Sequence, residues 1–243
     1  MIDITMTAIV LRSEILRETL ISLVKNLKYS NPLRLIIDVA PAANSSFTQH
    51  DLYKVASTYF DNAHLICRMV EESKQAEAIK WMWSKSESDF VLHWEDDWVL
   101  TRGLDLDKIE NLFFKHYTLG MLYFDRCQKS VLDYPGYKGV FAQSEMAPSI
   151  YIRLKGKSLG GPPALLRKSY KEAVLPLMKD NECLDITSRT KGAKKLLEEW
   201  ETCVYVGESG KGRLVKDIGT AWRESKGLKM KKNTPRGVTW VRK

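Results

Sequence analysis

The chain has little cysteine and no long apolar run, and both absences narrow its setting. Its four cysteines (Cys67, Cys127, Cys183 and Cys203) lie far apart in 243 residues, and none forms a CxxC pair. Neither a zinc clip nor a dithiol redox motif is indicated. No uninterrupted hydrophobic stretch approaches the ~20 residues that cross a bilayer. The opening residues, Met1-Ile2-Asp3-Ile4-Thr5, have neither the basic leader nor the apolar segment of a secretory signal. A reducing, cytoplasmic setting is therefore the expectation. Internal repeats and low-complexity tracts are missing too. With 44% hydrophobic and 28% charged residues, the composition excludes a disordered chain. The length suffices for an α/β domain with a substantial core.

Acidic residues are scarce in one half only. Residues 1–152 hold 16 Lys/Arg against 20 Asp/Glu, whereas residues 153–243 hold 22 against 10, for a net charge of +8. From Lys211 onward there are eleven basic and two acidic residues, with Trp222 and Trp240 among them. Such asymmetry points to an anionic partner, with a diphosphate, a nucleic acid, a membrane surface or an acidic glycan as candidates. A basic stretch interleaved with aromatics is a nucleic-acid footprint.

The first hundred residues alternate strand and helix. Ile4, Met6, Ala8 and Val10 alternate with Thr5, Thr7 and Ile9, as in a half-buried strand. Ser13 is placed to cap a helix whose Leu16, Leu20, Leu23, Val24 and Leu27 share one face. A short strand over 33–38 follows, and Thr48 and Asp51 are spaced as a capping pair for the next helix. Strands are expected over 64–70 and 89–94, with a helix carrying Ala76, Ile79 and Trp83 between them. Such βα repetition implies a parallel sheet with helices on both faces, and ligands in such sheets bind beyond the carboxyl ends of the strands. The later half reads as mixed: helices over 105–114, from about 169, over 191–201 and over 216–225, and strands over 121–124, 149–154 and 204–206. One domain over 1–243 is the expectation, with 1–100 binding the donor and 101–243 the acceptor.

Glu95-Asp96-Asp97 stands at the carboxyl end of the fourth expected strand. Three adjacent acids repel one another and are costly to bury without a partner. A hard divalent cation, Mn²⁺ or Mg²⁺, would bind their oxygens together with those of a diphosphate. Trp94 and Trp98 flank the trio, and His93 shares a strand face with Glu95. For His93, a core histidine is the expected role, with lining of the donor pocket as the alternative.

The segment Asp89-Phe90-Val91-Leu92-His93-Trp94-Glu95-Asp96-Asp97 resembles the strand and DxD-type motif of GT-A glycosyltransferases, notably the inverting polysaccharide-synthase-like family. Ile36-Ile37-Asp38, the helix carrying Glu18 and Leu20, and Glu77 between Ala76 and Ala78 fit the same pattern over residues 3–100. The resemblance implies a GT-A Rossmann-like α/β fold, mainly parallel, with a mixed acceptor-side half. It also implies a UDP-sugar or other nucleoside-diphosphate sugar as donor. Thr7, Ala8 and Asp38 would lie about the base, Glu95 or Asp96 at the ribose, and Asp97 at the metal with Glu95 as second ligand. The first acid is Glu where the commoner motif has Asp.

For the catalytic base, Glu182 is the first candidate, Asp180 the second and Asp185 the third, because they stand where inverting GT-A enzymes carry an acidic motif. Gly160-Gly161-Pro162-Pro163 is a loop that would approach the sugar. Gly207-Glu208-Ser209-Gly210-Lys211-Gly212-Arg213 is no phosphate loop, since Gly212 replaces the required Ser or Thr. Lys211 and Arg213 remain candidate diphosphate donors. Some bacteriophage enzymes glycosylate hydroxymethylated pyrimidines in DNA, and a compact basic chain suits that acceptor; a glycan, lipid or protein is the alternative. Two other classes compete. A nucleotidyltransferase would carry glycines where Val10-Leu11-Arg12-Ser13-Glu14 stands. A non-catalytic nucleic-acid-binding module leaves the acids without purpose.

Overall fold

The computed structural model describes residues 1–42, 45–72, 74–125, 140–153, 163–179, 187, 189–207, 213–234 and 237–242, with backbone alone from 229 onward. The first half runs β1 (Ile2–Ile9), α1 (Ser13–Asn26), β2 (Leu27–Lys28), β3 (Leu33–Ala40), α2 (Gln49–Ser57), β4 (Leu65–Met69), α3 (Gln75–Lys85) and β5 (Phe90–Glu95). It continues with β6 (Trp98–Leu100), β7 (Leu104–Asp105), α4 (Leu106–Lys115), β8 (Leu119–Phe124), β9 (Phe141–Gln143), β10 (Ile150–Arg153), β11 (Ala164–Arg167) and α5 (Lys168–Val174). The chain ends with α6 (Lys191–Glu199), β12 (Glu201–Tyr205), β13 (Val215–Asp217), α7 (Gly219–Ser225), β14 (Leu228–Thr234) and β15 (Gly237–Arg242).

Nine strands form one sheet in the order β4-β3-β1-β5-β11-β8-β12-β10-β9. The first four are mutually parallel. Between β5 and β8 lies β11, antiparallel to both, while β8 and β12 pair parallel. Strands β10 and β9 close the far edge antiparallel. The sheet is thus mixed from β11 onward.

Period-two alternation divides the sheet's side chains between two cores. Ile2, Ile4 and Met6 of β1, Leu35 and Ile37 of β3, and Leu92 and Trp94 of β5 pack with α1, α2 and α4. On the other face, Ile36 and Val91 pack with α3, α5 and α6. Burying each of these large side chains stabilises the fold by about 1.5–3 kcal/mol, so a one-residue register slip would forfeit both layers.

The buried acid of the α3 face, Asp3, is paired in place. Asp3 is fully buried and takes both Nε and Nη2 of Arg34 (2.8 and 2.9 Å) and the Ser86 hydroxyl (2.7 Å). Burial alone would raise its carboxyl, but Arg34 and Ser86 outweigh that and hold it below the usual range.

Several expectations need correction. Ser13 does not cap α1: a 3₁₀ turn over Val10–Arg12 gives Ser13 helical dihedrals, φ −56° and ψ −38°, and a capping residue needs extended ones. The helix expected over 216–225 starts at Gly219, because residues 215–217 pair with β6. By contrast, Thr48 and Asp51 form a complete capping box at α2.

The tightest backbone approach in the second core is at Gly120 of β8. A Cβ there would stand 2.5 Å from Tyr170 Cδ2 and 3.0 Å from Trp200 Cε3. Gly120→Ala is expected to lower unfolding stability by about 1–3 kcal/mol, as overpacking does. Urea denaturation checks this, and an unchanged midpoint would mean the two rings yield freely.

Candidate functional site

Strand order reverses direction at β1: the chain moves outward to β3 and β4, then returns to the other side as β5. The crevice beyond the carboxyl ends of β1 and β5 is therefore the place such a sheet offers a ligand. Two sets of side chains converge there, one on each face.

On the α3 face, Thr7 is in register with Asp38 on β3 and with Glu95 on β5, and Asp38 with Arg68 on β4. A row Arg68–Asp38–Thr7–Glu95 thus crosses four strands, spanning about 14 Å at the usual inter-strand spacing. The first turn of α3 covers it. Gln75 Nε2 donates to Glu95 Oε1 (3.1 Å), and Trp98 Nε1 donates to Glu95 Oε2 (3.1 Å). Arg68 donates through Nε to Asp38, lies 3.6 Å from Glu77 through Nη1, and stacks 4.6 Å from the centre of the Trp81 ring. Burial pushes the Asp38 carboxyl up, and Arg68 opposes it. Ala8 is buried on the opposite face, in the core with α1.

On the α1 face, the turn after β5 brings Asp96 and Asp97 against Arg12. Arg12 Nη1 lies 2.9 Å from Asp96 Oδ1 and 2.9 Å from Asp97 Oδ2. Asp96 also accepts from the Ile9 amide (3.2 Å), and its carbonyl accepts from Thr19 Oγ1 (2.8 Å). Arg223 of α7 reaches Asp97 Oδ2 at 3.4 Å. The β6–β13 ladder and a bond from the Ile218 amide to the Asp97 carbonyl (2.9 Å) hold α7 there. Gly219 presses against the Asp97 carboxylate so closely that a Cβ would fall 2.0 Å from Oδ2. Only glycine fits.

These acids are nearly inaccessible, with Asp96 3% and Asp97 5% exposed. Burial, with the charges of Asp97 and Asp96, pushes Glu95 up to about 7. Burial pushes Asp96 up to about 6 against the opposing pull of Arg12, and raises Asp97 against Arg12 and Arg223. His93 bonds Thr5 Oγ1 through Nδ1 (3.0 Å) and meets Trp83 edge-on. Burial drives it down to about 4, so it is a neutral core residue at physiological pH.

Among the described residues, no group of three acids, histidines or cysteines is arranged to hold a metal. One atom nevertheless fits a cation. Asp97 Oδ1 is buried and has no hydrogen-bond partner, while its sister oxygen takes both guanidinium groups. One protein carboxylate, completed by phosphate oxygens and water, is a usual way to hold Mg²⁺. Both Glu95 oxygens already have partners.

Asp180, Glu182, Asp185, Lys211 and the Gly160-Gly161 loop lie outside the described residues. Arg213 stands before β13, its carbonyl accepting from Thr101 Oγ1 (2.9 Å). Sequence reading missed Arg12, Arg68, Gln75 and Arg223. A basic residue one turn after β1, and another in register with Asp38, were the available signals. A cavity of about 290 Å³ lined by Ile4, Leu23, Leu33 and Tyr59 lies at the opposite end of β1 and β3.

No family model and no curated protein matches the chain. Solved structures do. S. aureus TarS in complex with UDP-GlcNAc matches at TM-score 0.56 and 13% identity, covering 89% of this chain and 58% of that one. The mannosyltransferase PcManGT of Pyrobaculum calidifontis, in complex with GDP-Man and Mn²⁺, matches at TM-score 0.50 and 17% identity, covering 91% and 59%. The fold is thus of the Rossmann-like GT-A type, and the chain spans about three fifths of the length of these two structures.

The raised Glu95 carboxyl has a consequence for stability. A group whose folded pKa exceeds its unfolded value binds more protons when folded, so its ionisation removes stability as pH rises. The window runs from about 4.3, the unfolded value, to about 7. In metal-free buffer, Glu95→Gln should raise the melting temperature relative to wild type by a few degrees at pH 8 and much less at pH 4.5. The Gln75 amide can rotate to serve the new side chain. A difference independent of pH would contradict the assignment.

Proposed function

We propose that this chain moves a sugar from a nucleoside-diphosphate sugar to an acceptor hydroxyl, using Mn²⁺ or Mg²⁺. The observation that carries the reading is the conjunction, at the strand-order reversal of a GT-A fold, of a polar row on one face with a buried acid turn on the other. The row Arg68–Asp38–Thr7–Glu95 is of the length a nucleoside needs. In this reading the Thr7 hydroxyl and Arg68, oriented by Asp38 and Trp81, receive the base, and Glu95 receives the ribose. The diphosphate then points toward Asp97.

A cation at Asp97 Oδ1 would bind the diphosphate oxygens and neutralise the charge that develops on the departing nucleoside diphosphate. Arg12 keeps Asp96 and Asp97 ionised side by side and fixes which oxygen of Asp97 remains free. Trp94 and Trp98, 0% and 8% exposed, wall the turn against water. In the transfer, the acceptor oxygen forms its bond to the anomeric carbon as the bond from that carbon to phosphate oxygen breaks, its electron pair leaving with the diphosphate. The acceptor proton passes to a carboxylate, and Glu182, then Asp180, are the residues we assign to that role. Lys211 and Arg213 are assigned to the diphosphate.

The acceptor we favour is a hydroxymethylated pyrimidine in DNA, supported by the basic composition after Lys211. Cytoplasmic residence fits the four cysteines dispersed along the chain, and no helix among the described residues is long and apolar enough to cross a membrane.

Thermal shift with UDP, GDP and CDP, each with and without Mn²⁺, tests the donor site. Specific binding raises the melting temperature by mass action, worth about 2.7 kcal/mol at a hundredfold excess over Kd. At least one diphosphate is expected to stabilise the wild type in the presence of Mn²⁺, with the gain mostly lost in Asp97→Asn. Indifference to all three would remove the transferase reading. Incorporation of labelled sugar into hydroxymethylated DNA tests the acceptor, and its failure across several donors would remove that acceptor alone.

A further inference from the structure

Strand β4 stands at the edge of the sheet, five residues long and laddered to β3. It carries Arg68, and its hold on β3 keeps Arg68 beside Asp38. The end of so short an edge strand opens easily, because few bonds resist it. The ladder's last pair is Val39 with Met69, one step beyond Asp38 and Arg68. A side chain from α2 closes the gap that follows.

Gln49 is the first residue of α2, and the capping box of Thr48 and Asp51 fixes where that helix begins. Its Nε2 donates to the Val39 carbonyl (2.7 Å) and to the Val70 carbonyl (2.7 Å). A primary amide has two N–H donors, and here both are used. Because both neighbours are carbonyl oxygens, only the nitrogen side of the amide can face them. The Val70 amide adds a bond of its own to the Val39 carbonyl (3.2 Å). These bonds tie the two strand ends together just past the Arg68–Asp38 pair. Helix α2 packs in the layer with α1, whereas Arg68, Asp38 and Thr7 lie in register on the α3 face. Gln49 therefore secures the row from behind.

We propose that Gln49 is a positioning residue for the base end of the row: by clamping β3 to β4 it holds Arg68 on Asp38, and so sets which nucleobase the site accepts. The assignment rests on reading the row as the nucleoside subsite. Arg68 offers donors and Asp38 an acceptor, so discrimination between bases depends on their separation staying fixed. Without the clamp, the end of β4 opens, Arg68 can leave Asp38, and the site holds different bases loosely and alike. Pyrophosphate has no base, so its binding with Mn²⁺ at Asp97 is indifferent to the clamp.

Isothermal titration calorimetry with UDP, GDP, CDP and pyrophosphate, each with Mn²⁺, tests it on the wild type, Gln49→Met and Gln49→Lys. Methionine matches glutamine in length without a donor, and lysine keeps donors for both carbonyls. Melting curves set a temperature at which all three chains are folded. Gln49→Met should bind the wild type's preferred nucleoside diphosphate about tenfold more weakly, the scale of two lost hydrogen bonds. It should also lose most of its preference over the other two, with pyrophosphate affinity unchanged. Gln49→Lys should recover both affinity and preference. Full affinity and preference in Gln49→Met would overturn the proposal. So would an equal loss for pyrophosphate, which marks a clamp that serves the fold alone. A wild type that binds pyrophosphate but prefers no base would overturn it as well. A wild type that binds none of the four ligands would instead remove the transferase reading, and the role of Gln49 with it.

Discussion

One guanidinium between two carboxylates governs the centre of this molecule. Three consecutive acids stand at the end of β5, Glu95 half-buried and Asp96 and Asp97 nearly closed to water, where unpaired ionised carboxylates cost several kcal/mol each. Arg12 meets Asp96 and Asp97 at equal distance through a single nitrogen, and Arg223 adds a second positive charge from the far end of the chain. Glu95 is handled differently, on the other face, by two neutral donors, Gln75 and Trp98. That division explains why Glu95, pushed up to about 7, lies above Asp96, pushed up to about 6. It has like charges nearby and no direct cationic partner.

The sheet places the row and the turn within one crevice. Because alternate residues face opposite layers, Thr7 looks toward α3 while its neighbours Met6 and Ala8 pack under α1. Three parallel neighbours in strict register then align Asp38, Thr7 and Glu95 without further machinery. The carboxyl-terminal segment completes the enclosure through contacts remote in sequence. Strand β13 pairs with β6, the Ile218 amide bonds the Asp97 carbonyl, and a glycine at 219 lets α7 lie directly against the carboxylate.

What was readable in the sequence was local. Leucines at helical spacing placed α1, the Thr48 and Asp51 pair placed the start of α2, alternation placed β1, and short apolar segments placed β3 and β5, each to within two residues. The acid turn was visible because three adjacent carboxylates have few structural uses. Long-range pairing was not visible. Strand β11 enters between β5 and β8 from some seventy residues further on, and three-residue ladders such as β6–β13 carry no pattern of their own. The same holds for the cations of the site. Arg12 and Arg68 are single basic residues in unremarkable contexts, and each acquires its role only when another strand or turn brings an acid to it. The acids' repulsion, which the sequence alone suggests a metal ion relieves, is relieved in the main by the chain's own arginines, and one oxygen of Asp97 is left unclaimed.

The most direct test of this electrostatic account is the urea stability of Arg12→Met measured beside Arg12→Met/Asp96→Asn at pH 7.5 without metal. Removing one partner of a buried pair typically costs about 3–5 kcal/mol, because a buried charge is left uncompensated. The account predicts that the single variant loses stability on that scale and that neutralising Asp96 in the same chain restores more than half of it. Losses that simply add, with the double variant weaker than the single, would contradict it.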